Sequence, residues 1–272
     1  MSGWRLTLMA PPALRVDAAA LQPAALAALS QAEMSRFTLS MGRDALPLAE
    51  LFAIEALDGE GARLELEGDF SRFDRLGAGL AEGVVDVKGD VGHLAGVGMS
   101  GGRLQVFGNA GDLLACAMAG GRIDLAGDAG DFVASTLPGD MDGMRGGTVV
   151  IGGDAGARLA DRMRRGTVVV HGRAGDFAAS RMVAGTLAIG GGVGGHLGYG
   201  MRRGSVLLAG PKPPAPSIGF VPVRANADVF WQLLARDLAA FGGHFASLPQ
   251  RRFSRFAGDV SVQGKGELLI PE

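Results

Sequence analysis

A single cysteine, Cys116, serves the whole chain of 272 residues, so no intrachain disulfide can form and a reducing compartment fits. The four histidines stand at no H-x-x-x-H spacing and C-x-x-C is absent, which removes the usual local frame of a zinc site. No apolar run approaches the ~18 residues of a membrane span. The N-terminal stretch MSGWRLTLMAPPALRVD lacks the continuous apolar core of a signal peptide. A soluble cytoplasmic protein is expected. Charge of one sign is missing too: 26 Lys and Arg against 28 Asp and Glu leave a formal −2. No global field therefore points to nucleic acid or to an anionic membrane. Lysine itself is scarce, confined to Lys88, Lys212 and Lys265.

Glycine is what the chain has in excess. Forty-six of 272 residues is about 17%, against an ordinary ~7%. Disorder does not explain it, because 47% of the chain is hydrophobic and the glycines are regularly placed. Collagen is excluded by the absence of a Gly-X-Y period. One cluster, GVGMSG (Gly96 to Gly101), matches the G-x-G-x-x-G of a dinucleotide-binding loop. That loop needs a helix after the glycines to receive the pyrophosphate. Here GRLQVFG follows, alternating and stopped by glycine, which reads as a strand.

The glycines belong to a repeat. Aligned on methionine, the units read MSGGRLQVFGNAGDLLACA from Met99, MAGGRIDLAGDAGDFVAST from Met118, MRGGTVVIGGDAGARLADR from Met144 and MRRGTVVVHGRAGDFAASR from Met163. Further copies start at Leu80, Met182 and Met201, and a degenerate one at Arg63. The starts differ by 19, except for one step of 26 that contains the surplus LPGDMDG, Leu137 to Gly143. With the methionine as position 0, positions 5 and 7 are always Val, Leu or Ile, for example Val168 and Val170. Period-2 spacing puts both on one face, toward a shared core. Glycine at positions 3, 9 and 12 marks corners. A fixed period near 20 built from strands predicts an all-β fold, a β-helix solenoid of 19-residue repeats.

A solenoid needs caps at its open ends. The expected division is an N-terminal cap over 1–57, a repeat domain over 58–210, and a proline-rich lead-out, capping helix and tail over 211–272. WRLTL reads as a strand. VDAAALQPAALAALS reads as a helix capped by Asp17, with Pro23 as a potential break. NADVFWQLLARDLAAFGG reads as a helix capped by Asn226, with Phe230, Leu234, Leu238 and Phe241 in one apolar stripe and Gly242 as its stop. That stripe is expected to lie as a lid on the last rung. RRFSRFAGDVSVQGKGELLI reads as a strand pair.

Catalytic constellations are not evident. His93, His171 and His196 occupy different repeat positions, and Cys116 after LLA reads as a buried thiol. Asp112, Asp131 and Asp176 share position 13, where Asp serves turns by hydrogen-bonding nearby amides. The methionine column reads as an internal stack. One surface feature stands out. Arg145, Arg164 and Arg202 share position 1, Arg165 and Arg203 position 2, and Arg162 and Arg181 precede two of the methionines. Stacking would gather them into a positive edge seeking an anion or an acidic partner surface. The insertion, with Asp140 and Asp142, is expected at an interface with another protein chain.

The recurring G-x-x-G-x-x-x-[GA], as in GDVGHLAG, GNAGDLLA and GDAGDFVA, resembles the C-terminal β-helix domain of glutamate synthase. Over more of the chain it resembles the C-subunit family of formylmethanofuran dehydrogenase, whose bacterial branch is the C subunit of formyltransferase/hydrolase complexes. The free-standing length and Lys-poor composition favour that branch. The resemblance implies a non-catalytic scaffold subunit in one-carbon metabolism. The complex would move a formyl group from formyl-tetrahydromethanopterin to a methanofuran-type carrier and hydrolyse it to formate, the formaldehyde-oxidation route of methylotrophs. Partners would be an amidohydrolase-like chain holding zinc, a formyltransferase chain, and one like a tungsten or molybdenum subunit. No cofactor or catalytic residue is implied for this chain. The alternatives are the same subunit in a tungsten or molybdenum dehydrogenase, and a free-standing β-helix enzyme acting on saccharide.

Overall fold

Alternating apolar and polar residues, each run ended by glycine, build strands of four to seven residues here, and these strands share one sheet. The computed structural model describes residues 3–59, 61–211, 213–223 and 228–272. Thirteen strands form one large, mostly parallel sheet, and four short ones form a second, as an all-β chain requires. In the large sheet Leu64 faces Val85, Val85 faces Leu104, Leu104 faces Ile123, and Ile123 faces Val149. The row continues through Val168, Leu187 and Val206. All of these side chains are buried, and burying each contributes roughly 1.5–3 kcal/mol. A second parallel row of single bridges runs from Phe70 through Val91, Ala110, Ala129, Ala155 and Ala174 to Val193.

Segments outside the repeats close both ends of this sheet. Gly3–Leu8 pairs in parallel with Arg63–Glu67 and antiparallel with Phe52–Leu57. At the other end Lys265–Pro271 continues the parallel order beside Arg203–Leu208, and Phe253–Gly258 pairs antiparallel with it. The expected strand WRLTL and the expected C-terminal strand pair are thus both present.

The methionine column explains one glycine column. Met99, Met118, Met144, Met163, Met182 and Met201 are all buried. A Cβ on Gly147 would lie 2.7 Å from Met118 Cε, and one on Gly166 would lie 2.8 Å from Met144 Cε. These glycines also sit at φ 91° and 101°, so both the methyl group and the left-handed backbone exclude a side chain.

Two local expectations are corrected. Asp17 caps no helix: it lies in a two-residue strand, its Oδ1 accepts from Ala19 N and its Oδ2 pairs with Arg75. Pro23 does not break a helix but starts one, Pro23–Ala27, where its missing N–H costs nothing. A second helix, Gln31–Arg36, begins at a Ser30/Glu33 capping box.

The C-terminal helix, Asp228–Ala239, forms and stops before Gly242 at φ 74°; Asn226, its expected cap, lies outside the described residues. Its buried face is Trp231, Ala235 and Leu238, with Leu234 partly buried and Phe230 exposed, while Phe241 packs on the same cluster from beyond the helix end. It does not lie across the end of the row, where Lys265–Pro271 pairs beside Arg203–Leu208. It lies against the outward face of the sheet, on Val169, Ala188, Leu207 and Leu269. The reason is visible at position 6: Asp86, Gln105 and Asp124 are polar, whereas Val169, Ala188 and Leu207 are apolar and need a cover.

Candidate interface around the insertion and the arginine row

The remaining candidates for chemistry are engaged in holding adjacent turns together. Asp112 Oδ1 accepts from Asp131 N at 2.9 Å, Asp131 Oδ1 from Ala157 N at 2.7 Å, and Asp176 Oδ1 from Gly195 N at 2.7 Å. The amides served belong to the next turn of chain, not to the same turn. A parallel row runs through Asp90, Asn109, Asp128 and Asp154. Cys116 is buried, its Sγ 3.2 Å from Phe132 O, and burial pushes its pKa up to about 11. No group of three His, Cys, Asp or Glu side chains able to hold a metal occurs among the described residues. After Gly96 and Gly98 comes the strand Ser100–Val106, not a helix, so GVGMSG is a corner. No helix among the described residues is long and apolar enough to cross a membrane.

The surplus residues 137–143 stand out from the sheet at a closed base. Met144 N donates to Ala134 O at 3.0 Å, as Met118 N does to Ala115 O in the turn before, so the corner bond survives the insertion. Gly143 N adds a bond to Arg162 O. Pro138, Gly139, Asp140 and Met141 are exposed.

Arginines of the expected edge are distributed over three depressions. Arg164 and Arg202 line a cleft of about 320 Å³ together with Arg162, Arg181 and Tyr199. Arg145 sits in a second depression with Asp140, Met141 and Asp142. Arg203 borders a third, beside Lys265, Arg255 and Glu267. A register shift between Arg145 and Thr148 sets Arg145 opposite Arg165, while Arg203 faces Lys265. Carboxylates compensate only part of this charge. Arg164 pairs with Asp142 of the insertion, and Arg181 holds the buried Asp161 through two bonds of 3.1 and 2.8 Å. Arg145, Arg162, Arg165, Arg202 and Arg203 have no carboxylate at ion-pair distance among the described residues.

Two features here lay outside the sequence reading. Asp161 gave no signal, since it occupies position 17, where other turns carry Cys116, Ser135 and Ser180. Position 14 does carry one: Phe132, Arg158, Phe177 and His196 form an aromatic and cationic stack. The Arg158 guanidinium lies 5.9 and 5.2 Å from the two phenyl centroids, and His196 stacks on Phe177 at 4.5 Å.

Comparison with known proteins points one way. No family model matches the sequence. A segment of 78 residues, 29% of this chain and 29% of the relative, is 42% identical to the C subunit of the formyltransferase/hydrolase complex Fhc of Methylorubrum extorquens. That alignment spans less than a third of the relative. A solved structure extends the likeness to the whole chain. A chain of the formyltransferase/hydrolase complex FhcABCD from Methylorubrum extorquens, crystallised with methylofuran, is 39% identical with a TM-score of 0.89. The match covers 98% of this chain and 99% of that one.

Proposed function

This chain belongs to the C-subunit family of formyltransferase/hydrolase complexes, and from that premise we propose that it is the structural subunit on which such a complex is assembled. The single observation that carries the reading is the end-to-end match to a chain of that complex. Its activity would be the complex's: formyl transfer from formyl-tetrahydromethanopterin onto a methanofuran-type carrier and hydrolysis to formate, with zinc in a sister chain. Partners are the formyltransferase, the amidohydrolase-like chain and the chain resembling a tungsten or molybdenum subunit. The dehydrogenase and saccharide-enzyme readings have no comparable support.

The scaffold role rests on how the polar side chains are used. The turn aspartates accept N–H groups of the following turn, and the one thiol is buried. A β-helix solenoid of 19-residue rungs, capped by residues 1–57 and 211–272, accounts for the pairing of Val85 with Leu104, Leu104 with Ile123 and Val149 with Val168. Such a body is stiff, stacks neighbour on neighbour and offers long lateral faces. The natural contacts are Arg145, Arg164, Arg165, Arg202 and Arg203 with Asp140 and Asp142, because charge on that edge exceeds its internal compensation. A cytoplasmic location goes with this role.

Co-expression with the sister subunits tests it. A tagged chain is expected to retain them through size-exclusion chromatography, and omitting it is expected to break up the assembly. Turnover of a formyl carrier or a polysaccharide by the purified chain alone would refute the scaffold role.

A further inference from the structure

We propose that the groove between the insertion and the corner stack seats an extended segment of a sister subunit that presents an apolar side chain next to a carboxylate. This rests on the assembly role argued above and names one surface that serves it.

The first observation is conformational. At position 14, Leu94, Leu113, Phe132, Arg158, Phe177 and His196 all hold φ between 58° and 66°, where a non-glycine residue costs roughly 1–2 kcal/mol. Two residues further on, the same left-handed geometry is filled by small residues such as Gly96, Ala115 and Ala134. Glycine is abundant in this chain, yet none of these six corners uses it. Large side chains are held there at a conformational cost. Stacking of Arg158 between Phe132 and Phe177 offsets part of that cost, but Phe132 is still 38% exposed.

The second observation is what faces those side chains. Leu137, Pro138 and Met141 of the insertion enclose, with Leu113 and Phe132, a groove of about 590 Å³. Met141 is 71% exposed. An open apolar groove of this kind, on the only surplus loop of the repeats, matches the composition of interface centres, which are rich in Phe, Met and Arg.

The third is charge. Met141, Arg162 and Arg181 form a wall common to this groove and the arginine cleft beside it. Asp161 neutralises Arg181, but among the described residues Arg162 donates only to the Met141 thioether. Across the cleft, Arg162, Arg164, Arg181 and Arg202 face two paired carboxylates, Asp142 and Asp161. The surplus is positive there, whereas Asp112 and Asp140 line other parts of the groove. An occupant with its apolar side chain over Phe132 and its carboxylate toward Arg162 satisfies both.

Photo-cross-linking in the assembled complex tests this. p-Benzoylphenylalanine replaces Phe132 in one preparation and Gln105, on the polar face of the sheet, in another. The Phe132 position should give an adduct with a sister subunit, mapped to a peptide with Asp or Glu within two residues of an apolar side chain. Gln105 should give none. Arg162→Glu in the same background should lower the adduct at least fivefold, and Arg162→Lys should restore most of it, with unchanged circular dichroism. If the complex co-purifies but Phe132 yields no adduct, one with a second copy of this chain, or one insensitive to Arg162→Glu, the groove assignment falls and the assembly role stands. If no complex forms, both fall.

Discussion

Asp142 reaches back from the insertion and pairs with Arg164, 22 positions further along the chain. The loop and the arginine row are therefore one feature, in which the loop partly neutralises the row. Both side chains are substantially exposed, at 39% and 48%, so the pair contributes about 0.5 kcal/mol and is screened by salt. Asp142→Asn should lower the urea midpoint slightly in about 0.05 M NaCl and not measurably in about 0.5 M NaCl. An equal loss at both salt levels would mean the loop is held by packing.

Four neighbouring positions test the strand register. Val168 and Val170 point into the core and are fully buried. Asp at either leaves an unpaired charge between two strands and should abolish soluble expression. Thr167, partly exposed on the other face, should accept Asp with a change under about 1 kcal/mol. Val169 is buried on that outward face, beneath Trp231, Ala235 and Leu238. Val169→Asp should release the helix Asp228–Ala239 while leaving the sheet intact, visible as hydrogen exchange confined to that helix.

How much of this was legible depends on whether a residue's partner is its own repeat. Val85, Leu104 and Ile123 meet one another because stacked turns convert a sequence column into a row in space. The methionines and the glycines opposite them were legible for the same reason. The helix over Val169 required a partner from outside the repeat. Its signal, the switch at position 6 from Gln105 and Asp124 to Ala188 and Leu207, is plain only once that face is known to be covered. The arginine positions are a column in the sequence, but the shift that sets Arg145 against Arg165 is a backbone irregularity that spacing does not encode.

The Cys116 thiol should be silent in the folded chain. Burial raises its pKa to about 11 from an ordinary value of 9.0. Alkylation at pH ~8 should be slow and should accelerate only with denaturant. The linkage runs against alkaline stability. Below pH ~9 both states hold the proton. As pH rises from about 9 toward about 11 the unfolded thiol ionises first, so stability falls by at most about 1.4 kcal/mol per pH unit. Cys116→Ala should flatten that part of the pH profile; an unchanged slope would place the thiol in contact with water.

Carboxylates along the corner rows act as hydrogen-bond acceptors, and their charge is incidental. Asn109 occupies the same row as Asp90 and Asp128, and its amide oxygen accepts from Asp128 N at 2.8 Å. Asp128→Asn should therefore preserve the bond to Asp154 N, 2.7 Å in the native chain, and leave stability within about 0.5 kcal/mol. Asp128→Ala removes the acceptor and should cost about 1 kcal/mol. Equal losses for both would show that charge matters after all.

Removing Leu137 to Gly143 should give a folded protein that assembles poorly, provided one further change is made. The corner bond from Met144 N to Ala134 O already bridges the base of the insertion, so the two ends can be joined with the core row untouched. Deletion makes Thr136 the residue before the methionine. In other turns that place is held at positive φ by Gly98, Ala117, Arg162 and Arg181. Threonine is β-branched and fits that region badly. The plain deletion should thus lose about 1–2 kcal/mol that the deletion with Thr136→Gly recovers. Melting curves of the two variants measure this directly. In the complex, the repaired variant lacks both Asp142 and the wall of the groove, and it should dissociate from its sister subunits at a lower salt concentration than the full chain. If the repaired variant melts like the native protein and stays bound at the same salt, the insertion is neutral and the contact lies on another face.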